Sequence, residues 1–264
     1  MPQPYSCADI SKGQEPISVK AVNLYTFDEL PLLEFQYTAT TSIDPEIDQL
    51  FLPNQGCSCI SCEEDSCPCL FSGQISNDTN KRLNYTQFCD STSGCVCTSE
   101  VCRPDLFQTT DFKLNFNVEV YFVNTRKKWG VRCCKQPIEM DNFVCEYVGV
   151  LRKSKKAKEN AEEHNPFVYV FNFGFENKAF DIDASKMGNV ARFVNHSCEP
   201  NLHAIVTVCG PRIVPRIMFF SMRFIPKGEE LTIDYGEQWW RNAINANPEM
   251  ECVCGSLKCN YKRI

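Results

Sequence analysis

The chain has 264 residues, 43% of them hydrophobic, enough for one compact domain with smaller lobes or for two domains. Its formal net charge of −6 argues against a nucleic-acid grip and in favour of a basic partner. No apolar run approaches the roughly 18 residues of a membrane span, and Met1-Pro2-Gln3-Pro4 does not begin a signal peptide, so a soluble, intracellular protein is expected.

Residues 1–50 mix apolar side chains with Thr, Asp and Pro and show no sustained period. Ile17 to Val22 alternates like a strand, Phe35-Gln36-Tyr37 could be a second, and Cys7 stands alone. From Cys57 the composition changes. Cys57, Cys59, Cys62, Cys67 and Cys69 are followed, after a Ser/Asn/Thr-rich loop, by Cys89, Cys95, Cys97 and Cys102. The chain holds 18 cysteines in all, which in a secreted protein would mean disulfides. Without a signal sequence the same density reads as metal binding in a reducing compartment. Nine thiolates supply the twelve ligand positions of three tetrahedral zincs if three of them bridge; the alternative is a single zinc with five spare thiols. Either way the metal would hold this lobe folded, because little else in it is apolar.

Phe112 to Asn124 alternates through Leu114, Phe116, Val118, Val120 and Phe122 and predicts a strand. A basic turn follows, Arg126-Lys127-Lys128-Trp129-Gly130. Phe143 to Val150, Phe167 to Phe173 and Phe180 to Asp183 predict further strands. The charged run of 152–163 reads as a solvated face, with a nuclear-import patch as the alternative. Arg192-Phe193-Val194-Asn195-His196-Ser197-Cys198 predicts a short strand that ends in polar side chains before Pro200-Asn201 breaks the chain. Glu230-Leu231-Thr232-Ile233-Asp234-Tyr235-Gly236 predicts a strand ending on an exposed Tyr. In the tail, Cys252, Cys254 and Cys259 are one thiolate short of a tetrahedral zinc, and Cys198 is the obvious fourth donor. That metal would staple the tail over Asn195 and His196. Cys133, Cys134, Cys145 and Cys209 sit in strand-like surroundings, where a cysteine behaves as a small buried hydrophobe. Many short strands with little helical period predict a mostly β domain.

A nine-cysteine lobe, Lys127-Lys128-Trp129-Gly130, Glu146-Tyr147-Val148-Gly149, Arg192-Phe193-Val194-Asn195-His196-Ser197-Cys198, Leu231-Thr232-Ile233-Asp234-Tyr235 and the cysteine tail occur in that order. The ordered set resembles the SET-domain lysine methyltransferases of the suppressor-of-variegation class. Within them it looks closest to the euchromatic histone H3 lysine-9 methyltransferases, to which Phe219-Phe220-Ser221 and the early Cys7-Ala8-Asp9-Ile10 are also similar. The resemblance covers almost the whole chain. It implies a fold of small curved sheets with a knot-like C-terminal segment, and four parts: a lead-in at 1–54, a three-zinc pre-SET cluster at 55–115, the catalytic SET domain at 117–236 and a post-SET zinc segment at 237–264. It further implies a nuclear, chromatin-bound enzyme that transfers methyl from S-adenosylmethionine to the histone H3 tail. It implies four zinc ions, no membrane, and no direct sequence-specific nucleic-acid binding.

Residue by residue, the resemblance implies that Lys127, Lys128, Trp129, Tyr169, Asn195 and His196 hold the cofactor while Arg192 braces the pocket. Tyr235 would be the catalytic tyrosine and Tyr147 would line the lysine channel beside it. Trp239 and Trp240 would close the channel near the tail, with Trp240 at the cofactor. Cys198, Cys252, Cys254 and Cys259 would bind the fourth zinc. Four positions depart from the family pattern. Lys128 stands where Gly is common, which could crowd a backbone approach to the cofactor. Val150 replaces a Glu, and Asn172 replaces an acidic residue implied in arginine recognition on the substrate. Ile233 stands where Phe or Tyr is usual; smaller than Phe and without a hydroxyl to hold a water, it predicts a di- or trimethylated product. Lys128 and Val150 keep a second reading open, a catalytically weak zinc scaffold that binds histone tails.

Overall fold

A computed structural model describes residues 5–24, 35–52, 113–114, 116–154, 169–208, 212 and 214–261. The nine cysteines of 57–102, Cys209 and most of the charged run lie outside the described residues. The chain opens with β1 (Tyr5–Cys7), β2 (Lys20–Asn23), β3 (Gln36–Tyr37), β4 (Ser42–Ile43) and a one-turn helix α1 (Pro45–Asp48). Next come β5 (Val118–Asn124), β6 (Lys128–Cys133), β7 (Phe143–Tyr147), β8 (Val150–Lys153), β9 (Val170–Phe175), β10 (Lys178–Asp183) and β11 (Met187–Gly188). After a 3₁₀ turn (Val190–Phe193) follow β12 (Asn195–His196), β13 (Leu202–Val208), β14 (Pro215–Ser221), β15 (Glu230–Ile233) and helix α2 (Glu237–Ala246).

The strands form small sheets, as the short alternating runs predict. A six-stranded sheet has the order β1-β2-β5-β6-β15-β12, a four-stranded sheet the order β4-β8-β10-β9, and a three-stranded sheet the order β13-β14-β7. β11 pairs with β3. Alternating apolar residues of β5 and β6 (Val118, Val120, Val131, Cys133) meet Ile217 and Phe219 of β14 in one core, and Met218 and Phe220 of the same strand are buried as well. Cys133 and Cys145 are buried in that core, as small hydrophobes should be, while Cys134 is half-buried.

Several elements differ from the sequence reading. The strand read over Phe112 to Asn124 begins at Val118, and the strand read over Glu230 to Gly236 ends at Ile233, with Tyr235 half-buried and not exposed. Glu237–Ala246 is a helix, and two further differences shape the site. Phe143 to Val150 is two strands, because the chain turns at Val148-Gly149. A Cβ on Gly149 would lie 2.5 Å from the Asp183 carbonyl oxygen, so no side chain fits where β7 passes the end of β10. Arg192-Phe193 lies in the 3₁₀ turn and not in a strand. Asn189 caps that turn, its Oδ1 accepting the Ala191 N–H at 3.1 Å and its Nδ2 donating to the Glu146 carbonyl at 2.8 Å. The strand proper is only Asn195–His196, and it pairs in parallel with β15.

The N-terminal strands belong to the same body. β2 runs parallel to β5. Glu15, buried beneath it, accepts the Tyr37 hydroxyl at 2.8 Å and the Leu114 N–H at 3.1 Å. Burial raises the Glu15 pKa above the ordinary carboxylate value, and those two hydrogen bonds oppose the shift.

Candidate active site

A cavity of about 490 Å³ opens where the β5–β6 turn, the 3₁₀ turn, β12, the end of β15, the start of β9, α2 and the tail converge. Tyr147, Ile233 and Tyr235 line it together with Lys127, Lys128, Trp129, Tyr169, Arg192, Asn195, His196 and Trp240. Eleven positions drawn from five separate stretches of sequence therefore share one wall.

Behind the polar side of the cavity lies Glu230, which holds the lining residues Lys127 and Asn195 and which the motifs did not single out. Asn195 Nδ2 donates at 2.9 Å to the Trp129 carbonyl and at 2.9 Å to Glu230 Oε1, while Lys127 Nζ reaches Glu230 Oε2 at 2.7 Å. A Cβ on Gly130 would lie 2.9 Å from that same Glu230 oxygen and 2.7 Å from Val123, so the close approach needs glycine. The side chains of Lys127 and Asn195 are thus oriented by Glu230 and Trp129. β12 also offers a ligand its main chain. Ser197 N–H bonds the Ile233 carbonyl at 2.9 Å, so strand alternation turns the N–H and C=O of His196 toward the other edge. β12 is the outermost strand of its sheet, and that edge borders the cavity.

The β5–β6 turn carries a distortion. Asn124 Oδ1 accepts the N–H groups of Arg126 and Lys127 at 2.9 and 2.8 Å, and the pairing slips by a residue between Phe122 and Asn124. Across from this slip, which leaves Val123 of β5 unpaired, Lys128 opens β6 with φ +62° and its side chain exposed. A glycine would sit there without strain. Trp129 turns into the core, edge-on to Phe122 at 5.6 Å.

Arg192 also lines the cavity and is buried. Its guanidinium lies 3.6 Å above the Tyr169 ring and within 4.8 Å of the Phe35 and Phe193 centroids. It donates to the Ala184 carbonyl at 2.8 Å and the Ser185 carbonyl at 3.2 Å; among the described residues no carboxylate pairs with it. Burial lowers its pKa, opposed by the nearby phenols.

Aromatic side chains make the other end. The Tyr235 hydroxyl donates to the Val194 carbonyl at 3.0 Å, and its ring stands edge-on to Trp239 at 4.7 Å. Tyr147 packs on Phe171 and Phe219, and Ile233 is 3% exposed. Burial pushes the pKa of both Tyr147 and Tyr235 above the ordinary phenol range, and each gains a further rise from a neighbouring phenol. Both are held as neutral hydroxyls. Burial lowers His196 to about 4 against the opposing pull of Asp234 and with the help of Lys127. A neutral ring whose Nδ1 already accepts the Tyr235 N–H at 3.1 Å is not placed to act as a general base.

The four tail-site cysteines come together as the sequence predicts. The Sγ atoms of Cys198, Cys252, Cys254 and Cys259 all lie within 4.8 Å of one another, with Cys198 at 4.0 Å from Cys252 and 3.8 Å from Cys259. A tetrahedral zinc with Zn–S bonds of about 2.3 Å sets S···S near about 3.8 Å, so the donors fit it in type and spacing. Backbone N–H groups of Cys254, Ser256 and Asn260 point at three of the sulfurs from 3.4 to 3.5 Å, which favours thiolates. The tail then lies against the cavity, Tyr261 stacking on Trp240 at 4.9 Å. Glu230 and Tyr261 are the contributors the motifs did not single out. Glu230 opens the second motif, a signal that was available; Tyr261 follows no pattern. Of the departures, Val150 starts β8, and Asn172 is exposed with Nδ2 donating to the buried Asp181 at 2.5 Å.

Small sheets thus converge on an aromatic cavity, with four cysteines, Cys198 just after β12 and three of the tail, gathered at its rim. The family model described as "SET domain" matches residues 128–236. Among curated proteins, the chain is 32% identical over 270 residues to histone-lysine N-methyltransferase EHMT1 of Mus musculus, covering 96% of this chain and 20% of that protein. Among solved structures it is similar to Arabidopsis thaliana SUVH6 in complex with SAM, with a TM-score of 0.73, 27% identity, and 97% of this chain and 55% of that one covered. It is likewise similar to KRYPTONITE in complex with mCHH DNA, an H3(1-15) peptide and SAH, with a TM-score of 0.72, 29% identity, and 97% and 53% covered. Residues 128–236 are thus a SET domain, and the proteins the chain is similar to are SET proteins of the suppressor-of-variegation class. The chain spans about a fifth of the length of the EHMT1 proteins.

Proposed function

We propose that this protein is a histone-lysine N-methyltransferase that uses S-adenosylmethionine to methylate histone H3 at lysine 9, giving a di- or trimethylated product and chromatin silencing in the nucleus. The observation that carries the reading is the single cavity that gathers Tyr147, Ile233, Tyr235, the open edge of β12 and the Arg192 guanidinium. Relatives that carry the activity in their names, and neighbours solved with SAM, SAH or an H3 peptide, support it. The proposed parts are the lead-in at 1–54, a three-zinc cluster at 55–115, the SET domain at 117–236 and the post-SET segment at 237–264, with four zincs in all.

The cofactor fits the groups present. Arg192 forms no ion pair among the described residues, the Asp183 carboxylate acting on it only at longer range, and it suits the anionic end of an amino acid. The indole N–H of Trp240 is buried without a hydrogen-bond partner. When bound, S-adenosylmethionine supplies a methyl group on a sulfonium. The chain's task is then alignment: an in-line displacement needs two reactants held within reach, and positioning can contribute up to about 7–11 kcal/mol. The His196 main chain, Trp240 and Arg192 hold one partner. Tyr147, Tyr235, Phe171 and Trp239 form an apolar, phenol-tipped channel for the other. Such a channel disfavours an ammonium by desolvation, which promotes the neutral lysine that can attack, and the Tyr235 hydroxyl orients its lone pair. Ile233 leaves room beside the amine for methyl groups already added.

The test is transfer of labelled methyl to an H3 tail peptide followed by mass spectrometry. Di- or trimethyl-lysine is expected. A peptide that accumulates only the monomethyl form overturns the Ile233 assignment, and a peptide left unmodified by zinc-replete protein overturns the enzymatic one.

A further inference from the structure

We infer that the His196 side chain is a positioning joint through which the thiolate-held tail sets the backbone of Tyr235. The inference rests on the reading of Tyr235 as the residue that orients the substrate amine. It goes beyond that reading, because the cofactor contact assigned to His196 runs through its main chain and leaves the ring without a role.

The ring links the thiolate site to the end of β15, beside the β12–β15 pairing and the Trp240–Tyr261 stack. Its Nδ1 lies 3.1 Å from the Tyr235 backbone nitrogen, and its Nε2 lies 3.3 Å from Cys198 Sγ. A backbone N–H can only donate, so Nδ1 accepts and the single ring proton sits on Nε2, facing the sulfur. A metal-bound thiolate accepts that N–H better than a thiol does, so filling the four-cysteine site draws the imidazole into one orientation. Nδ1 then holds Tyr235 N in place. That fixes the ring whose hydroxyl reaches the Val194 carbonyl at 3.0 Å. His196 is 7% exposed and boxed by Tyr235, Trp240 and Tyr261 at centroid distances of 5.4, 5.0 and 5.9 Å. Two of those walls, Trp240 and Tyr261, stack on each other, and Tyr261 belongs to the tail. The tail metal, Cys198, His196 and Tyr235 therefore form one chain of contacts.

Two substitutions separate the ends of the joint. His196→Asn keeps an oxygen near the position of Nδ1 but cannot reach Cys198; His196→Gln brings an amide N–H near the position of Nε2 but leaves Tyr235 N–H without its acceptor. Tail zinc is read by chelator competition against a chromogenic dye, with Cys259→Ser identifying which released ion is the tail one. His196→Asn is expected to weaken that zinc by about ten-fold, the size of a lost ligand-orienting partner, and His196→Gln to weaken it much less. The Tyr235 end is read by the backbone amide resonance of ¹⁵N-tyrosine-labelled protein, which should shift in His196→Gln and stay near its place in His196→Asn. In methyl transfer at saturating zinc, His196→Gln should lose more kcat than His196→Asn, with the KM for S-adenosylmethionine similar in both.

Equal loss of zinc in the two variants, or a Tyr235 amide shift of the same size in both, overturns the joint. A loss carried by KM for the cofactor, not kcat, overturns it too, since that assigns the ring to binding. If the wild type transfers no methyl, the enzymatic reading fails alone; the zinc and resonance readouts still decide the joint. If His196→Ala does not fold, the Asn and Gln pair still carries the comparison.

Discussion

Lys128→Gly should make the protein more stable without changing how it binds the cofactor. Lys128 sits at φ +62° at the start of β6, opposite Asn124. The left-handed region costs a residue with a Cβ roughly 1–2 kcal/mol. Glycine removes that strain but loses about 0.5–1 kcal/mol more backbone freedom on folding. The difference is a gain of about 0.5–1 kcal/mol, or about 1–4 °C in Tm for a chain of this size. Lys128→Ala keeps a Cβ and should give none of it. The lysine side chain is exposed, so the Kd for S-adenosylmethionine should stay within about twofold. Differential scanning calorimetry with titration calorimetry on the three proteins reads both quantities. A fall in Tm for Lys128→Gly, or an equal rise for Lys128→Ala, refutes the backbone argument. Tenfold tighter cofactor binding by Lys128→Gly would mean that the side chain crowds the site after all.

Tyr235→Phe removes the hydroxyl that donates to Val194 and should lower kcat by about 10²-fold or more, the scale of a misplaced reactant, with cofactor Kd within a few-fold. Glu230→Gln removes the charge that faces Lys127 in a pair whose side chains are only 13% and 16% exposed. A denaturant titration should show a loss of about 2–3 kcal/mol, below the range for a fully buried pair, and restored in part by adding Lys127→Met. Burial raises the Tyr147 and Tyr235 phenols, so both stay protonated through the ordinary phenol range. The value of kcat/KM should then climb with pH toward the free-lysine value of about 10.4 without a descending phenolate limb. Tyr147→Phe should lower the plateau and leave the shape; a descending limb below pH 9 that disappears in Tyr147→Phe would contradict the assignment.

The cavity was legible because its residues come in short motifs with distinctive types, and because cysteine spacing leaves few ways to complete a tetrahedral site. The tail is one thiolate short of a tetrahedral site, the His196-Ser197-Cys198 motif supplies the donor, and the sulfur distances agree. Period-2 alternation showed most of the strands, but not where they stop. Gly149 breaks one of them through a contact with Asp183, some thirty residues away, and no local pattern carries that. The 3₁₀ turn at Val190–Phe193 reads as apolar strand because its side chains are buried all round; only the Asn189 cap distinguishes it. Lys127 and Asn195 look like ligand contacts by motif, and in the fold their side chains are oriented by Glu230. A side chain's partner depends on what the fold brings near it, and here the second motif supplies that partner. α2 was missed because its apolar face is confined to Trp240 and Ala243.

The central claim is that this cavity methylates histone H3 at lysine 9, and the most direct measurement is transfer from labelled S-adenosylmethionine to full-length H3 beside H3 with lysine 9 replaced by arginine, read site by site by mass spectrometry. Label at lysine 9 of the first protein, and its loss in the second, is the predicted result. Equal labelling of the two histones would contradict the assigned site, and no labelling of either by zinc-replete protein would contradict the enzymatic account.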